Sequence, residues 1–179
     1  MNTTKQQIAD AFERQVNTRG YSKTTLDDVA RELTISKKTI YVHFDSKRDI
    51  YAQVVARQAQ REKSRLAAMV APLPTYAARV EAAMRHMLDL ARAHIVETGE
   101  DEWLREYEIA ADAFRKANGD LLRELVQGGM HEGEFRPGDA SLVEKMVGAM
   151  VLEYLVLVNA DQSYDRDTEL VERIGRFVN

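Results

Sequence analysis

Cysteine is absent from this 179-residue chain. The absence excludes disulfides, thiolate metal sites and cysteine nucleophiles, and it is compatible with a reducing compartment. Glycine-rich phosphate fingerprints are missing too: there is neither a P-loop nor a dinucleotide-binding G-x-G-x-x-G. No Glu stands three residues before any of the four histidines, so the E-x-x-H pairs of a carboxylate-bridged di-metal bundle are lacking. His86 and His94 lie eight apart with Glu97 nearby, and they read as ordinary histidines. No metal and no cofactor are expected. Apolar runs stay short of the ~20 residues that a membrane helix needs, so no membrane partner is expected. The start, MNTTKQQIADAFERQ, has no basic-then-apolar signal pattern, and a cytoplasmic location is expected. Proline is scarce, with three residues, and strand patterns are nearly absent. The composition is that of a globular helical chain.

Charge is present but unevenly placed. Residues 1–65 hold 13 Lys+Arg against 8 Asp+Glu, a net of +5; residues 66–179 hold 12 against 21, a net of -9, and together they give the overall -4. A cationic end on an acidic body is the asymmetry expected when one end meets phosphates.

The cationic end contains the most informative stretch, TLDDVARELTISKKTIYVHFDSK at 25–47. Thr25 and Asp28 form a T-x-x-D capping pattern that starts a helix at Leu26. Leu26, Val29, Ala30 and Leu33 give it one apolar face. Thr34 and Ile35 interrupt it, and Ser36 can N-cap a second helix. Ile40 and Phe44, four apart, anchor that helix to a core. Lys37, Lys38, Thr39, Tyr41 and His43 are left for its other faces. In a helix-turn-helix the N-terminal part of this second helix enters the major groove. Lysines there reach phosphates or guanine, and Thr39 can touch a base edge or a thymine methyl. Tyr41 and His43 suit phosphate oxygens. Ser46 and Asp49 then cap a long helix, and Lys47 in its first turn suits a phosphate at a helix N-terminus.

The run ISKKTIYVHFDSKRDIY resembles the signature of the TetR (tetracycline-repressor) family of bacterial regulators. KQQIADAFERQVNTRGYSKTTLDDVARELT resembles the same family's first and second helices. The likeness covers about residues 5–58. It implies that Tyr41, His43 and Lys47 grip phosphates, that Lys37, Lys38 and Thr39 face bases, and that Thr25 contacts the DNA backbone. Ser36 completes the expected DNA-binding set. Thr34 departs from the pattern, because glycine often stands in the turn, where a left-handed backbone suits it better than a β-branched residue.

The fold expected is all-α. A helix-turn-helix domain spans residues 1–46. A helical effector-binding and dimerisation domain spans 47–179, with a helix over 47–70, about 36 Å long, linking the two. Pro72 and Pro74 end that helix. Further helices are expected from about Tyr76 to Val96, stopped by Gly99, and from Glu102 to Ala117. Asn118-Gly119 reads as a turn, and another helix runs from about 121 to Gly133. The segment GEFRPGD is a loop.

MVGAMVLEYLVLV, 146–158, carries a single charge, Glu153. A helix apolar on nearly all sides needs cover on nearly all sides. A final helix, 166–177, shows Leu170, Ile174 and Phe177 as a stripe. These two helices are expected to pair with their symmetry mates in a four-helix homodimer interface that includes Met146, Met150, Glu153 and Leu157. A dimer would place two recognition helices on a palindromic double-stranded DNA operator.

The family resemblance also implies a pocket for a small-molecule effector of unknown identity in the acidic body. Met69, Met84, Met87, Trp103, Tyr107, Phe114 and Met130 are its candidate lining, since methionine and aromatics adapt to apolar ligands. It implies further that effector tilts the fourth helix and releases DNA. The function expected is therefore a ligand-responsive regulator, a repressor first and an activator second, with no enzymatic role. A helical enzyme or an interaction module without DNA are the competing classes.

Overall fold

The computed structural model describes the backbone of residues 4–98 and 100–178, and their side chains except at 94–108, 110 and 111. The described residues form eight helices and no strand: α1 (Lys5–Arg19), α2 (Leu26–Leu33), α3 (Lys37–Tyr41), α4 (Lys47–Val70), α5 (Tyr76–Thr98), α6 (Glu100–His131), α7 (Ala140–Ala160) and α8 (Asp167–Val178). The chain is all-α, as its periodicity predicts.

Two compact units share these helices. The first comprises residues up to Ala59 together with Leu104–Phe114; the second comprises Gln60–Trp103 and Arg115–Asn179. The start of α4, expected to open the second domain, groups with the first of these units. The cause is packing: Ile50, Tyr51, Val54 and Val55 of α4 are buried in one cluster with Ile8, Phe12, Val29, Ile40 and Phe44. The first three turns of α4 cannot leave that core without exposing these side chains, at about 1.5–3 kcal/mol for each large one.

In the first unit, α1 begins at a reciprocal cap. The Thr4 hydroxyl accepts from Gln7 N at 3.2 Å, and the Gln7 side chain accepts from Thr4 N at 2.8 Å. Ile8, Ala11 and Phe12 face the core, and α1 stops where Gly20 takes φ 81°. Arg57 clasps α4 to α1 through Asp10 at 2.6 Å and Glu13 at 2.9 Å.

In the second unit, α5 packs against α7 and α8. Its start is closed by a distant carboxylate: Tyr76 N and Ala77 N donate to the two oxygens of Glu134, at 3.0 and 3.1 Å. Near its other end, Arg92 donates to both oxygens of Asp167 on α8, at 2.7 and 2.8 Å, and to Tyr154 of α7 at 2.8 Å. The Tyr154 hydroxyl also bonds Asp167 and accepts from Arg166 N at 2.8 Å. One guanidinium thus pins three helices.

The turn expected at Asn118-Gly119 does not form, because α6 runs unbroken across it for 32 residues. Ala117, Leu121, Leu122, Leu125 and Val126 are buried on one helical face, and that continuous stripe overrides the local turn preference. Gly119 instead leaves room beside α7: a Cβ there would stand 2.5 Å from a Glu144 carboxylate oxygen. Gly99, expected to stop the preceding helix, lies outside the described residues.

Candidate nucleic-acid interface

The α2–α3 region is assembled by short caps. Thr25 is the N-cap of α2; its hydroxyl accepts from Asp28 N at 3.2 Å and donates to the Asp28 carboxylate at 2.7 Å. That hydrogen bond, opposed by partial burial and aided by Arg19 and Arg31, lowers the Asp28 pKa below its ordinary value. Thr34 ends α2 in the left-handed conformation, φ 54° and ψ 44°. The turn therefore keeps the geometry that glycine would adopt freely and carries a β-branched residue within it. Ser36 caps α3, accepting from Thr39 N at 3.2 Å, and its hydroxyl lies 3.1 Å from that of Thr39.

Ile40 and Phe44 are fully buried and fix the rotation of α3. Lys37, Lys38, Tyr41 and Val42 consequently point to solvent, whereas Thr39 and His43 are half-buried. Tyr41 is 53% exposed and Val42 73%, a large apolar and aromatic surface for a five-residue helix to display. Ser36, Lys37, Lys38, Thr39 and Tyr41 thus come together on one short segment beside the Thr25 cap.

Lys47 lies in the first turn of α4. Its ammonium donates to the Tyr21 carbonyl, lies 3.5 Å from that of Ser22 and sits over the Tyr21 ring at 4.1 Å. It braces the α1–α2 loop. Sequence reasoning also passed over Asp27, whose carboxylate holds Lys37 Nζ at 2.8 Å.

The expected effector residues whose side chains are described differ in burial. Met84 is fully buried in the second unit, Met87 and Met130 are half-buried, and Met69 is 45% exposed. Phe114 packs against the core of the first unit. The side chains of Trp103 and Tyr107 lie outside the described residues. A cavity of about 380 Å³ does open between α5 and α8. Among the described residues, Met84 is the one expected residue on it; Ala77, Val80, Phe135, Val171, Ile174 and Val178 supply the rest of its apolar lining, and Glu81, Arg85, Glu172 and Arg176 add charge.

Of the expected interface residues, Met146, Glu153, Leu157 and Phe177 are exposed, and Met150 and Leu170 half-buried. Ile174 is fully buried, which removes it from the outer face. The inner stripe of α8 is Val171, Ile174 and Val178, one residue out of phase with the stripe read from the sequence. Leu142, Leu152 and Val156 are exposed as well; Leu142 stands four residues before Met146 and Val156 three after Glu153 and four after Leu152, spacings that could have added them.

Residues 8–54 match the family model for bacterial regulatory proteins of the tetR family. The TetR-family match thus falls on α1 to the start of α4. A stretch of 51 residues is 45% identical to a biofilm operon negative transcriptional regulator, IcaR, from Staphylococcus aureus; it covers 28% of this chain and 27% of that regulator. This chain thus matches only about a quarter of the length of that curated relative. Two solved structures share the fold over nearly the whole length. The regulator FadR from Bacillus subtilis, in complex with stearoyl-CoA, has a TM-score of 0.61 at 20% identity and covers 98% of this chain and 97% of its own. RolR, in complex with resorcinol, has a TM-score of 0.73 at 14% identity, covering 98% and 87%. At those identities the likeness concerns the fold alone.

Proposed function

We propose that this protein is a ligand-responsive transcriptional repressor that binds a palindromic operator as a homodimer. The observation that carries the reading is the α2–α3 pair, where buried Ile40 and Phe44 force Lys37, Lys38 and Tyr41 outward on a helix sized for a major groove. Repression, and not activation, is favoured by the likeness of this end to a negative regulator. Dimerisation is supported by Leu142, Met146, Leu152, Val156 and Leu157, all exposed on α7; an apolar stripe of this length is characteristic of a buried interface. Effector control is supported by α4, one uninterrupted helix whose first half belongs to the first unit and whose second half belongs to the second. Ligand that prefers one setting of this helix shifts the DNA-binding population with it. Fold neighbours are solved with molecules as unlike as stearoyl-CoA and resorcinol, so effector chemistry belongs to the pocket and not to the fold.

The test is selection of bound duplexes from a random pool with purified protein. The expected result is a palindrome, with half-sites about a helical turn or more apart. Tyr41→Ala, which removes an expected phosphate contact, should then weaken binding broadly across sequences. Recovery of unenriched sequence from ligand-stripped protein would overturn the proposal.

A further inference from the structure

The two acids in the first turn of α2 are used differently. Asp28 is built into the fold by the Thr25 hydroxyl, by Arg31 at 3.1 Å and by Arg19 at 3.6 Å. Asp27 points the other way, to Lys37 Nζ at 2.8 Å, with the side chains 61% and 48% exposed. An ion pair so open to water adds little to folding. The helix N-terminus favours an acid, but Asp28 already fills that need. Asp27 therefore has no evident task in holding the fold, and it sits beside the first residue of α3, the end of that helix that enters a groove. The hydrogen bond to Asp27 also raises the Lys37 pKa, so Lys37 keeps its charge at neutral pH.

We propose that Asp27 is a specificity-determining residue: it holds Lys37 in a neutral pair and so lowers affinity for arbitrary DNA more than for the operator. The inference rests on the DNA-binding reading above. Binding to arbitrary sequence is almost entirely counterion release by cations on phosphates. A lysine held by a carboxylate contributes none, and the carboxylate itself repels phosphate. On the operator, base contacts hold α3 in register, and a guanine acceptor facing Lys37 offers a directed hydrogen bond that offsets separation from Asp27.

The experiment compares Asp27→Asn with wild type on two probes over a salt series: the selected operator duplex and a random-sequence duplex of equal length. Asp27→Asn should bind the random duplex about tenfold tighter, with a salt slope steeper by roughly 1.8 per dimer, one freed cation per protomer. Operator affinity should rise less, so that discrimination falls. Adding Lys37→Ala to Asp27→Asn should remove the extra slope. Weaker operator binding by Asp27→Asn would overturn the proposal and make Asp27 an acceptor for a base amine. Equal gains on both probes, or no change on either, overturn it as well. Wild type that binds neither probe would sink the regulator reading itself; wild type that binds while Asp27→Asn behaves identically sinks only the role of Asp27.

Discussion

The Lys37–Asp27 and Arg92–Asp167 pairs are nearly equal in length, 2.8 and 2.7 Å, and differ in everything that makes an ion pair matter. The first joins two exposed side chains on neighbouring helices. The second is about one-fifth exposed at both ends, is bidentate, and shares its carboxylate with Tyr154 and its guanidinium with the Tyr164 carbonyl at 2.8 Å. Water screens the first pair, so Asp27 holds its lysine only firmly enough that a directed base contact is needed to replace the carboxylate. Exclusion of water and several simultaneous hydrogen bonds make the second a clamp. In the first unit, charge stays available to an outside partner; in the second it is consumed inside the chain.

Breaking the clamp should have the largest effect. Arg92→Ala leaves the half-buried Asp167 carboxylate without its guanidinium and the buried Tyr154 hydroxyl with one donor fewer, and a loss of about 2–3 kcal/mol is expected, somewhat below the cost at a fully buried pair. A lower denaturant midpoint at unchanged slope is the readout. A midpoint equal to wild type would mean that solvent replaces the guanidinium freely, and the contrast with Lys37 would collapse.

Acidity probes the same clamp more gently. Burial pushes the Asp167 pKa upward from its ordinary 3.8, but hydrogen bonds from Arg92 and Tyr154 outweigh burial and leave it lowered. Burial and the bond to Asp167 raise Tyr154. A carboxyl whose folded pKa lies below its unfolded one contributes stability above the unfolded value and loses it as pH falls through the folded value. The stability advantage of wild type over Asp167→Asn should therefore be full at neutral pH and shrink below about pH 4. A gap constant down to strong acid would show that the carboxylate's charge is irrelevant to the clamp.

These two regions also differ in how far the sequence reveals them. The caps at Thr25 and Ser36 act over three residues, and Ile40 and Phe44 lie four apart, so the DNA-reading segment is written in local spacing. The clamp joins Arg92 to residues 62 and 75 positions away, where no periodicity operates. The misread Asn118-Gly119 turn has the same origin: the pair has turn chemistry locally, and only burial of Ala117, Leu121 and Leu122 shows why the helix continues. Ile174 was misplaced because Leu170, Ile174 and Phe177 form as good a stripe as Val171, Ile174 and Val178, and packing on α5 selects between them. The effector candidates were chosen by residue type alone, and residue type does not tell that Met84 is fully buried while Met69 is 45% exposed.

A smaller effect, of opposite sign, is expected at the turn. Thr34 holds φ 54°, the one left-handed non-glycine residue among those described. Thr34→Gly removes that strain and adds freedom to the unfolded chain, for a net gain of up to about 1 kcal/mol. A raised thermal midpoint with unaltered operator affinity would show that the turn geometry was already the one DNA binding uses. A raised midpoint with altered affinity would show that Thr34 shifts α3 relative to α2.

The smallest effect on stability should come from the pair with which the comparison began. Lys37→Ala, Asp27→Ala and the double variant should all unfold at the wild-type denaturant midpoint, because water and salt replace an exposed partner at little cost. The same three-variant cycle at Arg92 and Asp167 should show clear non-additivity, since each single change strands the other group. Coupling at Lys37 and Asp27 as strong as at the clamp would mean that their pairing belongs to the fold. A lysine so committed could not be released to a base, and the discrimination assigned to Asp27 would have to arise elsewhere on α3.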